Sequence, residues 1–128
     1  MAERLLVDTD VLIDYLRDKT EAVSYLENLT EHLLISAITV AELYAGVREG
    51  NERTKLDNFI HAFELIPVGR EISIKGGLYR RDYLKSHNIG LADALIAATA
   101  ETEQAALVTL NNKHFPMLSS VIVPYQKV

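Results

Sequence analysis

The chain has 128 residues, 48% of them hydrophobic and 24% charged, with a formal net charge of −5 and no cysteine. That length suits a single domain over 1–128 rather than two with inadequate cores, and the lack of thiols excludes disulfides, cysteine nucleophiles, zinc–thiolate sites and iron–sulfur clusters. The acidic balance argues against a protein that coats DNA regardless of sequence, but not against a nuclease, since metal-holding carboxylates count toward it.

Met1-Ala2-Glu3-Arg4 begins no basic segment followed by a long apolar stretch, so no signal peptide is expected. Residues 5–7 (Leu-Leu-Val) read as a short buried strand ending at Asp8. Val11-Leu12-Ile13 and Tyr15-Leu16 start a helix, and Ala22-Val23, Tyr25-Leu26 and Leu29 carry a second helical face. Residues 33–37 form a second strand. A helix is expected from 39 to about 49, with Val40, Leu43, Tyr44 and Val47 on one side and Gly50 as its stop. Another follows over roughly 52–62, then a third strand over 63–68. Residues 70–87 read as a long helix broken by Asn88-Ile89-Gly90. Residues 92 to about 103 form a helix so apolar that it should be buried. Strands close the chain at 105–109 and 121–123. No apolar run approaches the roughly 18 residues of a membrane span, and a reducing cytoplasm is the expected home.

Strands alternating with helices predict an α/β fold, a three-layer α/β/α sandwich around a parallel sheet of about five strands. Ligands of such sheets bind beyond the carboxyl ends of the strands, where the strand order reverses. Acids collect at those ends. Asp8 follows the first strand and Asp10 opens the next helix; Glu42 is expected in the first turn of the helix after the second strand, and Asp93 in the first turn of the apolar helix. Asn111 and Asn112 follow the fourth strand, with Thr109 at its end. Each acid has a structural reading. Thr39 to Glu42 has capping-box spacing, Asp10 reads as an N-cap, and Asp93 suits a helix N-terminus. Together, Asp8, Glu42 and Asp93 point to one edge of the sheet. Carboxylates so gathered raise one another's pKa unless a cation is present. An all-oxygen set suits hard ions such as Mg²⁺ or Mn²⁺, which orient phosphates and activate water.

The motifs resemble a known family. Leu6-Val7-Asp8-Thr9-Asp10-Val11-Leu12-Ile13 resembles the opening motif of PIN domains, and residues 38–46 (ITVAELYAG) resemble their second. Residues 91–100 (LADALIAATA) resemble the third and residues 107–115 (LVTLNNKHF) the fourth. The most similar subgroup is the VapC-type toxins of toxin–antitoxin pairs. The resemblance implies a Mg²⁺- or Mn²⁺-dependent endoribonuclease acting on RNA, a cognate antitoxin protein that blocks the site, and a homodimer. It makes Asp8, Glu42 and Asp93 the catalytic and metal-binding acids. Thr9 matches a small hydroxyl residue beside the first acid, and Asn111 a position that is Asp or Asn in the family. Cleavage should leave 5′-phosphate and 3′-hydroxyl ends.

One departure stands out. Many members carry Asp just before the phenylalanine of the fourth motif, where this chain has His114. With Asn111 as well, that motif supplies no carboxylate, which implies one tightly held ion and a second recruited only with RNA. His114 itself reads as a surface histidine. Arg17, Lys19, Arg48, Arg80, Arg81, Lys85 and Lys113 are candidate phosphate contacts, although solvated helix faces account for most of them. Tyr44, Tyr79 and Tyr83 read as core or interface aromatics rather than base-stacking platforms.

Three other readings compete. A haloacid-dehalogenase-like phosphatase would use Asp8 as nucleophile and Asp10 as general acid, but Leu110-Asn111-Asn112 holds no acidic pair. A phosphorylatable receiver needs an aspartate after the third strand, where the chain has Ile66-Pro67-Val68-Gly69. A PIN-like scaffold could bind RNA or a partner without cleaving anything.

Overall fold

A computed structural model describes residues 3–126; Met1 and Ala2 of the N-terminal segment lie outside the described residues. Among the described residues, five strands are interleaved with three pairs of helices: β1 (Arg4–Val7), α1 (Thr9–Leu16), α2 (Thr20–Glu27), β2 (His32–Ser36), α3 (Ala37–Ala45), α4 (Asn51–Ile60), β3 (Glu64–Ile66), α5 (Arg70–His87), α6 (Leu91–Thr102), β4 (Ala106–Val108) and β5 (Val121–Ile122). A single 3-10 turn, Asn112–His114, joins the last two strands. All four pairings are parallel, in the order β3-β2-β1-β4-β5. The expected three-layer α/β/α sandwich is what forms.

Successive side chains of a strand point to opposite faces, and both faces here are apolar. Leu6, Leu34 and Leu107 pack with Ile72 of α5 and Ile96, Ala97 and Ala100 of α6. Leu5, Val7, Ile35 and Val108 pack on the other side with Val11, Leu12, Leu26, Leu43 and Leu56 from α1 to α4. This is why the strands read as continuous apolar runs rather than alternating ones. Among the described residues, no helix is long and apolar enough to cross a membrane.

The local expectations need three corrections. α3 begins at Ala37, not Thr39, because Ser36 caps it by accepting the Ile38 N–H at 3.0 Å. No capping box forms from Thr39 to Glu42, and Glu42 falls beyond the first turn. Asp8 rather than Asp10 caps α1. Gly50 does not stop α3, which ends at Ala45; with φ at +102° it precedes α4, a left-handed conformation that glycine adopts without strain. The end of α5 is as expected, with Asn88 in the left-handed region as its C-cap.

The sheet's centre is also its switch point. The chain leaves β1 toward β2 and β3, then returns to the other side of β1 with β4 and β5. The crevice beyond the carboxyl ends of β1 and β4 is therefore where a ligand site belongs. α6 starts at that edge and is held by close contact with α5. A Cβ on Gly76 would stand 2.5 Å from Leu95 Cδ2 and 3.1 Å from Leu95 Cα, whereas one on Gly77 would meet nothing within 4 Å. The two neighbouring glycines should therefore respond oppositely. In urea unfolding, Gly76→Ala is expected to destabilise by about 1–3 kcal/mol through overpacking. Gly77→Ala should stabilise by roughly 0.5–1 kcal/mol through helix propensity.

Candidate active site

β1 ends directly on Asp8, whose backbone N–H bonds to Val108 O of β4 at 2.9 Å. This pairing sets the Asp8 side chain in the crevice, where it is only 6% exposed. Its Oδ1 accepts the Thr9 N–H at 2.8 Å, and its Oδ2 accepts the Thr109 hydroxyl at 2.8 Å. Thr109 is fully buried at the end of β4 and accepts the Asn111 N–H at 3.1 Å. Asp10, in the first turn of α1, reaches across to the same strand end: its Oδ2 accepts the Leu110 N–H at 3.1 Å.

Glu42 joins from α3. Thr9 Oγ1 donates to Glu42 Oε1 at 2.7 Å and lies 3.0 Å from Thr39 Oγ1. Thr39 and Glu42 are three residues apart and so share a helix face. Both point to Thr9, which explains their spacing without a capping box. Asp93 stands in the first turn of α6, as expected. Its Oδ2 lies 3.0 Å from His114 Nδ1, and Asn111 Nδ2 is 3.0 Å from the same ring nitrogen. His114 is thus a bonded member of the site, not the free surface histidine its sequence position suggests.

Asp8 is the electrostatic centre. Burial pushes its carboxyl up to about 7; the neighbouring charge of Asp10 and, less strongly, that of Asp93 push the same way. The bonds from Thr109 and Thr9 pull it down but do not compensate. No cationic side chain is among these leading influences. Asp8 and Asp93 are therefore brought within electrostatic reach of one another, and Glu42 is linked to Asp8 through Thr9. As the side chains stand, no group of three or more His, Asp and Glu among the described residues could itself hold a metal ion. Each carboxylate is turned to its own hydrogen-bond donors, as mutual repulsion favours. The oxygen-only donors and the uncompensated charge on Asp8 nonetheless fit a hard divalent cation.

Two residues of this site escape a reading of the sequence. Asp10 looks like a cap, and only its bond to Leu110 makes it part of the crevice. His114 is three residues after Asn111, one turn of 3-10 helix, and that spacing is the only signal linking the pair.

A groove of about 450 Å³ opens beside Glu42. Ile13, Leu16, Leu43, Val47 and Leu56 give it an apolar wall, and Arg17, Arg48 and Lys55 line it together with Glu42 and Glu52, Arg48 Nε lying 3.3 Å from Glu52 Oε2. Of the tyrosines, Tyr44 bonds to Asp57 and Tyr79 to Glu101. Both pack against the hydrophobic clusters, as expected for core aromatics.

The raised pKa of Asp8 has a stability consequence. Between pH about 4 and about 7 the folded state holds a proton that the unfolded chain releases, so folding weakens as pH rises through that window. With chelator present, Asp8→Asn should stabilise the protein at pH 8 by about 2–4 kcal/mol. The gain should vanish near pH 4. Urea unfolding across pH measures both.

Comparison with known proteins covers nearly the whole chain. The PIN domain family model matches residues 5–118. The chain is 40% identical over 124 residues to Ribonuclease VapC10 of Mycobacterium tuberculosis, covering 94% of this chain and 92% of that protein. It is 36% identical over 116 residues to Ribonuclease VapC1 of Methanocaldococcus jannaschii, covering 90% and 81%. Among solved structures, a toxin–antitoxin complex from Klebsiella pneumoniae contains a chain with a TM-score of 0.83 and 28% identity, covering 96% of this chain and 99% of that one. VapBC2 from Rickettsia felis, bound to a DNA fragment from its promoter, gives 0.75 and 29%, covering 93% and 96%. The phosphatase and receiver readings fall away. An acid crevice at the switch point of this sheet, reached by four motifs in order, agrees with what the comparison finds: the chain belongs to the PIN domain family, among its VapC-type members.

Proposed function

We propose that the protein is a Mg²⁺- or Mn²⁺-dependent endoribonuclease and the toxin of a toxin–antitoxin pair, acting in the cytoplasm. The observation that carries the reading is Asp8, a carboxylate buried at the switch point beside Asp10 and Asp93, with its charge raised in energy by all three circumstances. Asp8, Glu42 and Asp93 are the proposed catalytic and metal-binding residues, with Thr9, Thr109 and Asn111 in support. A divalent ion bound there would lower the pKa of a water and offset charge on the scissile phosphate.

The chain's own residues have separate tasks. Thr9 and Thr109 hold the two oxygens of Asp8. Thr9 also orients Glu42 through its hydroxyl. Arg17 and Arg48, in the groove beside Glu42, are the proposed contacts for RNA phosphates on either side of the cut. Their charge offsets the repulsion that a net charge of −5 sets against a polyanion. Water adds across the P–O3′ bond, leaving a 5′-phosphate and a 3′-hydroxyl. The antitoxin acts by covering this crevice and excluding RNA.

A second copy of the chain is the proposed cover for the outer face of α5. Ile74 and Leu78 are 56% and 44% exposed there. Glu71 and Lys85 are exposed toward the two ends of that helix, while Lys75 is ion-paired with Glu101 of α6 and Asp82 with Arg81. Two such helices crossing antiparallel at Leu78 set the Glu71 end of one against the Lys85 end of the other, so the face is complementary to itself.

Cleavage of total RNA with Mg²⁺ or Mn²⁺, with and without chelator, tests the enzymatic reading. Asp8→Asn, Glu42→Gln and Asp93→Asn should each lower kcat at least 100-fold while remaining folded. Arg17→Ala and Arg48→Ala should chiefly raise KM, severalfold each. Cleavage that persists in chelator, or in Asp8→Asn, would overturn the site assignment. For the dimer, sedimentation should find two chains per particle, and one chain for Leu78→Glu.

A further inference from the structure

We propose that His114 is a positioning residue for Asp93: its ring holds one carboxylate oxygen by a hydrogen bond and so turns the other toward Asp8. The inference rests on the metal-dependent reading above and adds to it a part for the fourth motif, which supplies a hydrogen-bond donor where it lacks a carboxylate.

The geometry is specific. His114 Nδ1 lies 3.0 Å from Asp93 Oδ2 and 3.0 Å from the side-chain amide of Asn111. An ionised carboxylate has no hydrogen to give, so Nδ1 carries it toward Asp93. The neutral ring in its Nδ1–H form supplies that hydrogen. Asn111 Nδ2 cannot donate to a nitrogen that carries its hydrogen toward Asp93, so the arrangement requires the Asn111 amide turned end for end, its oxygen sharing that single hydrogen. With Oδ2 engaged, Oδ1 is the oxygen of Asp93 left for a cation.

The ring is held in place from below. His114 N–H bonds to Asn111 O at 3.1 Å, which closes the 3-10 turn. The next residue, Phe115, is 2% exposed and packs in the same cluster as Ile96 and Ala97 of α6. The turn that bears His114 and the helix that bears Asp93 are therefore locked to one another through the core. The pair itself is partly open, with side chains 39% and 33% exposed, and at that exposure it contributes little to folding. Its use is orientation. Hydrogen bonds of this kind to ligating carboxylates typically change metal affinity by about 10–100-fold.

Mn²⁺ binding to the RNA-free protein, read from the electron paramagnetic resonance signal of free Mn²⁺, tests the proposal without reference to cleavage. His114→Ala should weaken binding about tenfold. His114→Asn, which can place a side-chain N–H near the position of Nδ1, should stay within about threefold of the parent. In an Asp93→Asn background, His114→Ala should cause no further loss, because the effect runs through Asp93. Thermal unfolding in chelator should show all variants folded. Unchanged affinity in His114→Ala, equal losses in the Ala and Asn variants, or a further loss in the Asp93→Asn background would each overturn the positioning role and leave the nuclease reading intact. Absence of Mn²⁺ binding by the parent protein would overturn both.

Discussion

A carboxylate taken out of water without a cation beside it is expensive to keep ionised, and this protein buries one at the middle of its sheet. Asp8 ends the central strand, lies between the ends of two neighbouring strands and caps the first helix. The same enclosure that desolvates it surrounds it with donors, from Thr9 and Thr109. These give each oxygen one donor but leave its charge uncompensated, with Asp10 and Asp93 adding to the burden. A fold selected for stability alone would place a neutral or apolar side chain there. Stability sacrificed at one buried charge is what a site for a hard cation requires.

Around Asp8 a chain of hydrogen bonds ties together segments far apart in sequence. Glu42 reaches Asp8 through Thr9, and β4 reaches it through Thr109. Asn111 extends from Thr109 to His114, and His114 extends to Asp93. Every link is short, and the carboxylates connect through hydroxyl, amide and imidazole groups rather than through one another. This lets Asp8, Glu42 and Asp93 approach without collapsing into direct contact. The helices that carry Glu42 and Asp93 are set by packing elsewhere: α3 by Leu43 in one cluster, α6 by its alanines and the close approach at Gly76. Core packing thus sets the distance between the acids, and the hydrogen bonds set their orientation.

Much of this was legible in the linear order, for identifiable reasons. Strands buried on both faces show as uninterrupted apolar runs, and residues 5–7 and 105–109 announce themselves in that way. The long helix over 70–87 and its end at Asn88 follow from side-chain pattern and left-handed backbone preference. Acids placed just after strands read as site residues because parallel topology sends those ends to one edge. Errors arose where two local signals competed. Thr39 with Glu42 mimics a cap, yet Ser36, already at the strand end, captures the helix first. Gly50 resembles a stop but serves the following helix.

The sequence by itself determined the alternation of elements, the faces they bury and the identity of the acids, because these depend on periodicity and side-chain chemistry that neighbouring residues carry. Tertiary structure alone decided which donor each acid meets, that Asp10 turns toward Leu110, and that His114 lies against Asp93. Those pairings join residues up to about 100 positions apart, and only the packing of separate helices onto a shared sheet brings such groups within the 3 Å reach of a hydrogen bond.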